Sequence, residues 1–207
     1  MVDVGPPFTN SLTTLDTLLP MPVDPSSHSD EGEETIARIR SFRSPSIISD
    51  RFILACTRAS LNAQPPLIDV ALLEVTSSSP VEDIQETLTI NERGFDPMAV
   101  EIPADVAEQF RPNLVGGSAI IARWQGIGVS TGMWLPISRG VTELAGIATL
   151  VEFRRRGFGL MTVVALASSA LLTGADLLFL STNDEVAHSV YHRAGFFDVS
   201  PGPGATK

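Results

Sequence analysis

The segment that most restricts the fold runs from Phe158 to Ala175, eighteen consecutive residues without a charge. That length is near the minimum for crossing a bilayer. Three features point elsewhere. Gly157 and Gly159 stand at its start, and Thr162, Ser168, Ser169 and Thr173 interrupt it. Gly174-Ala175-Asp176 then ends it just before a second apolar run. A helix buried on all sides and leading into a buried strand accounts for all three, so no membrane span is expected.

The elements around this helix extend the pattern. A strand over residues 143–150, within an extended stretch 141–150, enters the loop Arg154-Arg155-Arg156-Gly157-Phe158-Gly159, and the helix then runs to about Thr173. A strand over 177–181, a helix over 184–193 and Gly195-Phe196 opening a last strand complete the C-terminal third. Strand–helix–strand–helix–strand favours a parallel pairing of the first two strands and an α/β fold with a mixed sheet.

Upstream the signals are weaker. Residues 1–35 read as a weakly ordered tail, with Pro20, Pro22, Pro25 and a Ser/Asp/Glu run that lacks apolar periodicity. A short helix over 34–44, strands over 51–57 and 67–75, and helices over 81–91 and 103–110 are expected, the last with Pro103 in its first turn. Extended segments 118–124 and 128–135 flank Gln125-Gly126-Ile127-Gly128, which reads as a hairpin turn. The chain thus divides into a tail (1–35), an N-terminal region packing on or extending the core (36–90), a core (91–200) and a short tail (201–207).

Composition narrows the chemistry. A net charge of −10, from 24 acidic and 14 basic residues, disfavours a nucleic-acid binder, which would neutralise phosphates with Lys and Arg. The single cysteine, Cys56, rules out a disulfide within one chain and a cysteine-based zinc cluster, and its apolar neighbours mark it as a buried structural thiol. His28, His188 and His192 are too few and too scattered for a metal site. His188 and His192 stand at i and i+4, but no third ligand accompanies them in the sequence, and no metal is expected. The N-terminus, with neither a basic start nor a long apolar stretch, is no secretory signal, which leaves a cytoplasmic protein as the expectation.

The Arg/Gly loop is an anion site in physical terms. Gly157 and Gly159 present no side chain between a ligand and the main-chain amides. The first N–H groups of the following helix lack intrahelical acceptors, and the helix dipole adds partial positive charge there. Arg154, Arg155 and Arg156 supply more. Taken alone, a surface basic cluster before a flexible turn would look similar.

The surroundings of the loop distinguish the two. Arg154, Gly157 and Gly159 fill the fixed positions of Gln/Arg-x-x-Gly-x-Gly/Ala, and the sequence resembles the GNAT superfamily of acetyl-CoA-dependent N-acetyltransferases. Leu144-Ala145-Gly146-Ile147-Ala148-Thr149 resembles the family's fourth strand, and Ala187, Tyr191 and Gly195-Phe196 match its second block, Ala-x-x-x-Tyr-x-x-x-Gly-Phe. The resemblance covers residues 142–199. It implies a GNAT-like acyltransferase fold, a central mixed sheet whose parallel strand pair splays apart with helices on its faces.

The resemblance also implies roles. Backbone amides of Arg156, Gly157, Phe158 and Gly159 would cradle the pyrophosphate of acetyl-CoA, with Arg154 and Arg155 beside them. Ile147 and Thr149 would pair through their backbones with its pantetheine arm, between the splayed strands. Tyr191 would be the general acid that protonates the departing thiolate, since a phenol with an ordinary pKa near 10 matches it in basicity. Glu143 would be the general base, directly or through water, and His188 a weaker candidate for that role. The acceptor would be a small-molecule amine, held by residues 99–114 and the 118–135 hairpin.

Two departures from the family pattern matter. Asp184 stands where relatives often carry Asn, with Asn183 one residue earlier, and Thr182-x-x-Glu185 matches a capping box. A usual seventh strand is missing too, because Ser200-Pro201-Gly202-Pro203-Gly204 cannot continue a central strand. The N-terminal region or a partner subunit, as in a homodimer, would complete the sheet, unless it stays incomplete. A non-catalytic acyl-CoA-binding module would keep the loop and need neither Tyr191 nor Glu143; a GNAT-fold enzyme with a different acyl-thioester reaction is the other alternative.

Overall fold

A computed structural model describes residues 28–42, 51–63 and 67–199. Along the chain run helix α1 (His28–Phe42), strands β1 (Phe52–Cys56) and β2 (Val70–Val75), and helices α2 (Val81–Phe95) and α3 (Ala104–Phe110). Then come β3 (Ser118–Trp124), β4 (Ile127–Trp134), β5 (Val141–Thr149), α4 (Phe158–Thr173), β6 (Leu177–Thr182), α5 (Glu185–Arg193) and β7 (Phe197–Asp198). The strands form one seven-stranded mixed sheet in the order β2-β3-β4-β5-β6-β1-β7. β2 through β5 are an antiparallel meander, and β5 and β6 are parallel, joined by the α4 crossover.

The uncharged segment is α4, and its buried residues lie on every side of it, from Phe158 through Leu171. At its ends Gly157 (φ +90°) and Gly174 (φ +114°) take left-handed conformations that L side chains rarely adopt, so the helix starts and stops sharply. Its outer neighbours are Tyr191 and Phe196 of the α5 region, and its inner ones include Trp134, Leu144, Leu178 and Leu180. No helix of the described residues is long and apolar enough to cross a membrane.

The opposite sheet face carries α1, α2 and α3. Ile39, with Ile36 and Phe42, packs on Ile53, Ala55, Val141, Leu177 and Phe179, while α2 and α3 cover Val75, Ala119 and Ile121. The helix α1 therefore begins at His28, inside the stretch read as tail. Apolar residues at 36, 39 and 42 recur every three positions, and tertiary packing of that face sustains the helix. Residues 1–27 of the expected tail, and 200–207, lie outside the described residues.

Three boundaries shift for local reasons. β2 starts at Val70 instead of residue 67, because Asp69 turns the chain at φ +61°. α2 continues past Asn91 to Phe95, where Gly94 lets its backbone close on Ala148; a Cβ there would come within 2.6 Å of the Ala148 Cβ. α5 is capped by Asp184, whose Oδ1 accepts from the Val186 and Ala187 amides at 2.7 and 3.3 Å, while Thr182 Oγ1 accepts from the Asp184 amide. The Thr182 capping box expected from sequence is displaced by a carboxylate placed directly before the first helical residue.

The missing strand comes from the N-terminal region. β1 lies antiparallel between β6 and β7, with Leu54 opposite Leu180 on one side and Asp198 on the other. Leu54, Ala55 and Cys56 are fully buried, so β1 is as central as its neighbours.

Candidate functional site

β5 and β6 pair over three residues only, Val141, Thr142 and Glu143 with Leu177, Leu178 and Phe179. Beyond Glu143 the strands diverge, leaving residues 144–149 of β5 with one edge turned toward the fork. Ile147 and Thr149 lie on that stretch. Opposite them β5 pairs with β4 through an irregularity between Thr131 and Met133, where Gly146 takes φ +61°. The main chain bulges there, and a glycine avoids the strain a side chain would meet.

The Arg/Gly loop sits past the end of β5. Arg154 is spent on holding it in place: its guanidinium donates to the carbonyls of Gly94, at the end of α2, and Thr149, at the end of β5. Arg155 is exposed at φ +60°, and Arg156 lies 5.9 Å from the Trp124 ring and 5.5 Å from that of Phe153. Phe158 is buried against Trp124 and Phe153. Gly159, in the first turn of α4, leaves little space for a side chain, since a Cβ would stand 3.0 Å from Thr149 Oγ1. The loop thus fits an anionic group held by main-chain amides: bare glycines, a helix start and fixed positive charge coincide.

Glu143 is buried at the last paired position before the fork and lies on the sheet face that carries α1 and α2. Tyr191 lies on the opposite face, in the core with Leu160 and Phe196. Burial, followed by the charge of Asp184, pushes its hydroxyl up to about 12, above the ordinary value of 10.0. The matched basicity expected of an unperturbed phenol therefore does not hold before substrate arrives.

A cavity of about 420 Å³ opens between α2, α3 and the β4–β5 bulge. Ile102, Val106, Gln109, Phe110, Asn113, Thr131, Gly132 and Met133 come from the two stretches expected to hold an acceptor. Thr87, Leu88, Asn91 and Glu92 of α2, and Gly146, were not expected. The signal was present: Ile84, Thr87, Asn91 and Gly94 share one helical face, and two polar residues on an otherwise apolar stripe mark a wetted pocket. Neither Tyr191 nor Glu143 is among the lining residues.

Comparison with known proteins agrees with this geometry. Residues 133–200 match the family model described as FR47-like protein, a GNAT-like family. A GCN5-related N-acetyltransferase from Kribbella flavida is similar at 26% identity and TM-score 0.58, over 76% of this chain and 61% of that one. The chain therefore spans less than two thirds of that protein's length. A GCN5-related N-acetyltransferase from Sphaerobacter thermophilus shares the fold at 15% identity and TM-score 0.54, over 81% of this chain and 57% of that one. So does the aminoglycoside acetyltransferase meta-AAC0020 from an uncultured soil metagenomic sample, at 13% identity and TM-score 0.52, over 61% and 87%. No curated protein matches the sequence. The splayed parallel pair and the glycine loop at the start of α4 fall in the stretch that the family model matches, and the chain has a GNAT-like fold.

Proposed function

We propose that the protein transfers an acetyl group from acetyl-CoA to an amine of a small molecule, by direct attack with both substrates bound. One observation carries this reading: two openings meet on one strand. β5 leaves β6 after Glu143, and the wall of the cavity reaches Gly146, three residues further along. A thioester lying along β5 in the fork would present its carbonyl beside a chamber large enough for an amine.

The chain's residues divide the work as follows. Main-chain amides of Arg156, Gly157, Phe158 and Gly159 hold the pyrophosphate, with Arg155 adding charge and Arg154 fixing the loop. Backbone groups of Ile147 and Thr149 pair with the pantetheine arm. Glu143, or water ordered by it, takes the proton that the attacking nitrogen loses as its C–N bond forms. Tyr191 gives its proton to the sulfur as the C–S bond breaks. Held near 12, that hydroxyl is protonated at any working pH, and it yields its proton to a thiolate formed in the same apolar surroundings. Among the described residues Glu92 is the one carboxylate lining the cavity, and it favours a cationic acceptor. The small-molecule acceptor is in keeping with the aminoglycoside enzyme of the same fold, and use of acetyl-CoA fits a cytoplasmic setting.

The test is thiol release from acetyl-CoA against an amine panel, with CoA affinity measured in parallel. Turnover with at least one amine is expected, and Tyr191→Phe should lower kcat by roughly 10²-fold with CoA affinity unchanged. The burial of Tyr191 favours a second reading, an acyl-CoA-binding module without turnover. Tight CoA binding with no thiol released by any amine would decide for it.

A further inference from the structure

The structure supplies the third partner that the sequence withheld from His188 and His192. One turn apart on α5, the two imidazoles converge on Asp198 of β7. His188 Nε2 lies 2.8 Å from Oδ1, and His192 Nε2 lies 2.9 Å from Oδ2. The two Nε2 atoms are 3.3 Å from each other. Phe52 of β1 packs on the His188 ring with centroids 4.2 Å apart, which restricts how that ring can turn.

We propose that His188, His192 and Asp198 form a binding site for a divalent transition-metal ion of the zinc type. Two nitrogens held about 2.0–2.1 Å from a tetrahedral ion are about 3.3–3.4 Å apart, which is the separation seen here. Hydrogen bonding alone explains the cluster less well. If each Nε2 carries a proton for its own carboxylate oxygen, the two N–H groups crowd each other; an ion between them turns both nitrogens into acceptors facing one charge. Imidazole pairs with a single carboxylate select zinc, nickel, cobalt or copper over magnesium or calcium, whose preferred ligands are oxygens. Three protein ligands leave one position for water.

The site joins two elements that are otherwise weakly tied. β7 is two residues long and, among the described residues, pairs only with β1. An ion there fastens it to α5, the helix that carries Tyr191.

The experiment uses untagged, chelator-treated full-length protein titrated with zinc sulfate, read by calorimetry and by the thermal midpoint, with magnesium as control. One equivalent of Zn²⁺ should bind and raise the midpoint, and Mg²⁺ should do neither. His192→Ala and Asp198→Asn alter exposed side chains, and each should weaken zinc at least about tenfold while leaving the metal-free midpoint close to that of the parent. Absence of saturable zinc binding, or unchanged affinity in both variants, overturns the proposal. Co²⁺ provides the second readout: intense visible d–d bands report low-coordinate ligation, and a pale octahedral spectrum at saturation also overturns it.

Discussion

Asn91 donates from its Nδ2 to the carbonyl of Gly146 at 2.6 Å, tying α2 to the β5 bulge across the wall of the cavity. The bond holds the main chain of β5 where it has already parted from β6, so one side chain links the cavity to the strand proposed to carry the thioester. Asn91→Ala should lower stability by about 0.5–1.5 kcal/mol, the net worth of one half-buried hydrogen bond. It should also reduce thiol-release turnover more than it reduces CoA affinity. Denaturant unfolding and steady-state kinetics check the two parts.

Gly157→Glu places a carboxylate at the start of α4, at a φ of +90°. CoA affinity should fall below detection through charge repulsion and a blocked approach, and the fold should persist with a loss of about 1–2 kcal/mol for the strained backbone. Calorimetric titration with CoA, alongside circular dichroism, measures both. Retained affinity would contradict the pyrophosphate assignment.

Arg154 and Arg156 should separate cleanly. Arg154→Met removes two donors to main-chain carbonyls, and a destabilisation of about 1–3 kcal/mol is expected. Arg156→Ala removes an exposed guanidinium resting on Trp124 and Phe153, and should cost less than about 1 kcal/mol of stability while weakening CoA several-fold. Thermal melts and CoA titrations of the two variants should therefore rank in opposite orders.

Alkaline pH should weaken the fold in two steps. Burial raises the Cys56 thiol from 9.0 to about 11, against a smaller lowering by its bond to Ser60. Tyr191 is raised from 10.0 to about 12. In each case the folded state holds its proton to higher pH than the unfolded state does. The stability involved is thus fully present below about pH 9 for the thiol and pH 10 for the phenol, and is lost as pH climbs through their folded values. Each contribution is at most roughly 3 kcal/mol. Cys56→Ala should abolish the loss that begins near pH 9, as seen in unfolding free energies measured across the alkaline range.

Leu54→Ala should cost about 2–5 kcal/mol, as for a fully buried core leucine. Urea midpoints test this. A cost near zero would mean that β1 is a loosely attached edge, whatever its position beside β6.

The C-terminal third was legible because its signals are local. An uncharged eighteen-residue run framed by glycines specifies a buried helix, and Gly157 in its left-handed conformation starts it sharply, beside the loop proposed to hold an anion. Tyr191 and Gly195-Phe196 lie at fixed spacings within the same short stretch. These depend on residues near one another in sequence, where backbone conformation and helical period set the geometry.

What only the tertiary structure decided are the meetings between distant residues. The sequence showed that a strand was missing; only folding put Phe52–Cys56 beside β6, through contacts spanning more than 120 residues. Helical spacing aligned His188 with His192, but Asp198 joins them because β7 pairs with β1. The cavity arises in the same way, from Asn91 facing Gly146 across 55 positions. Local pattern determines which face of an element is apolar. Which other element covers that face is decided by packing the whole chain, and the site lies where those faces meet.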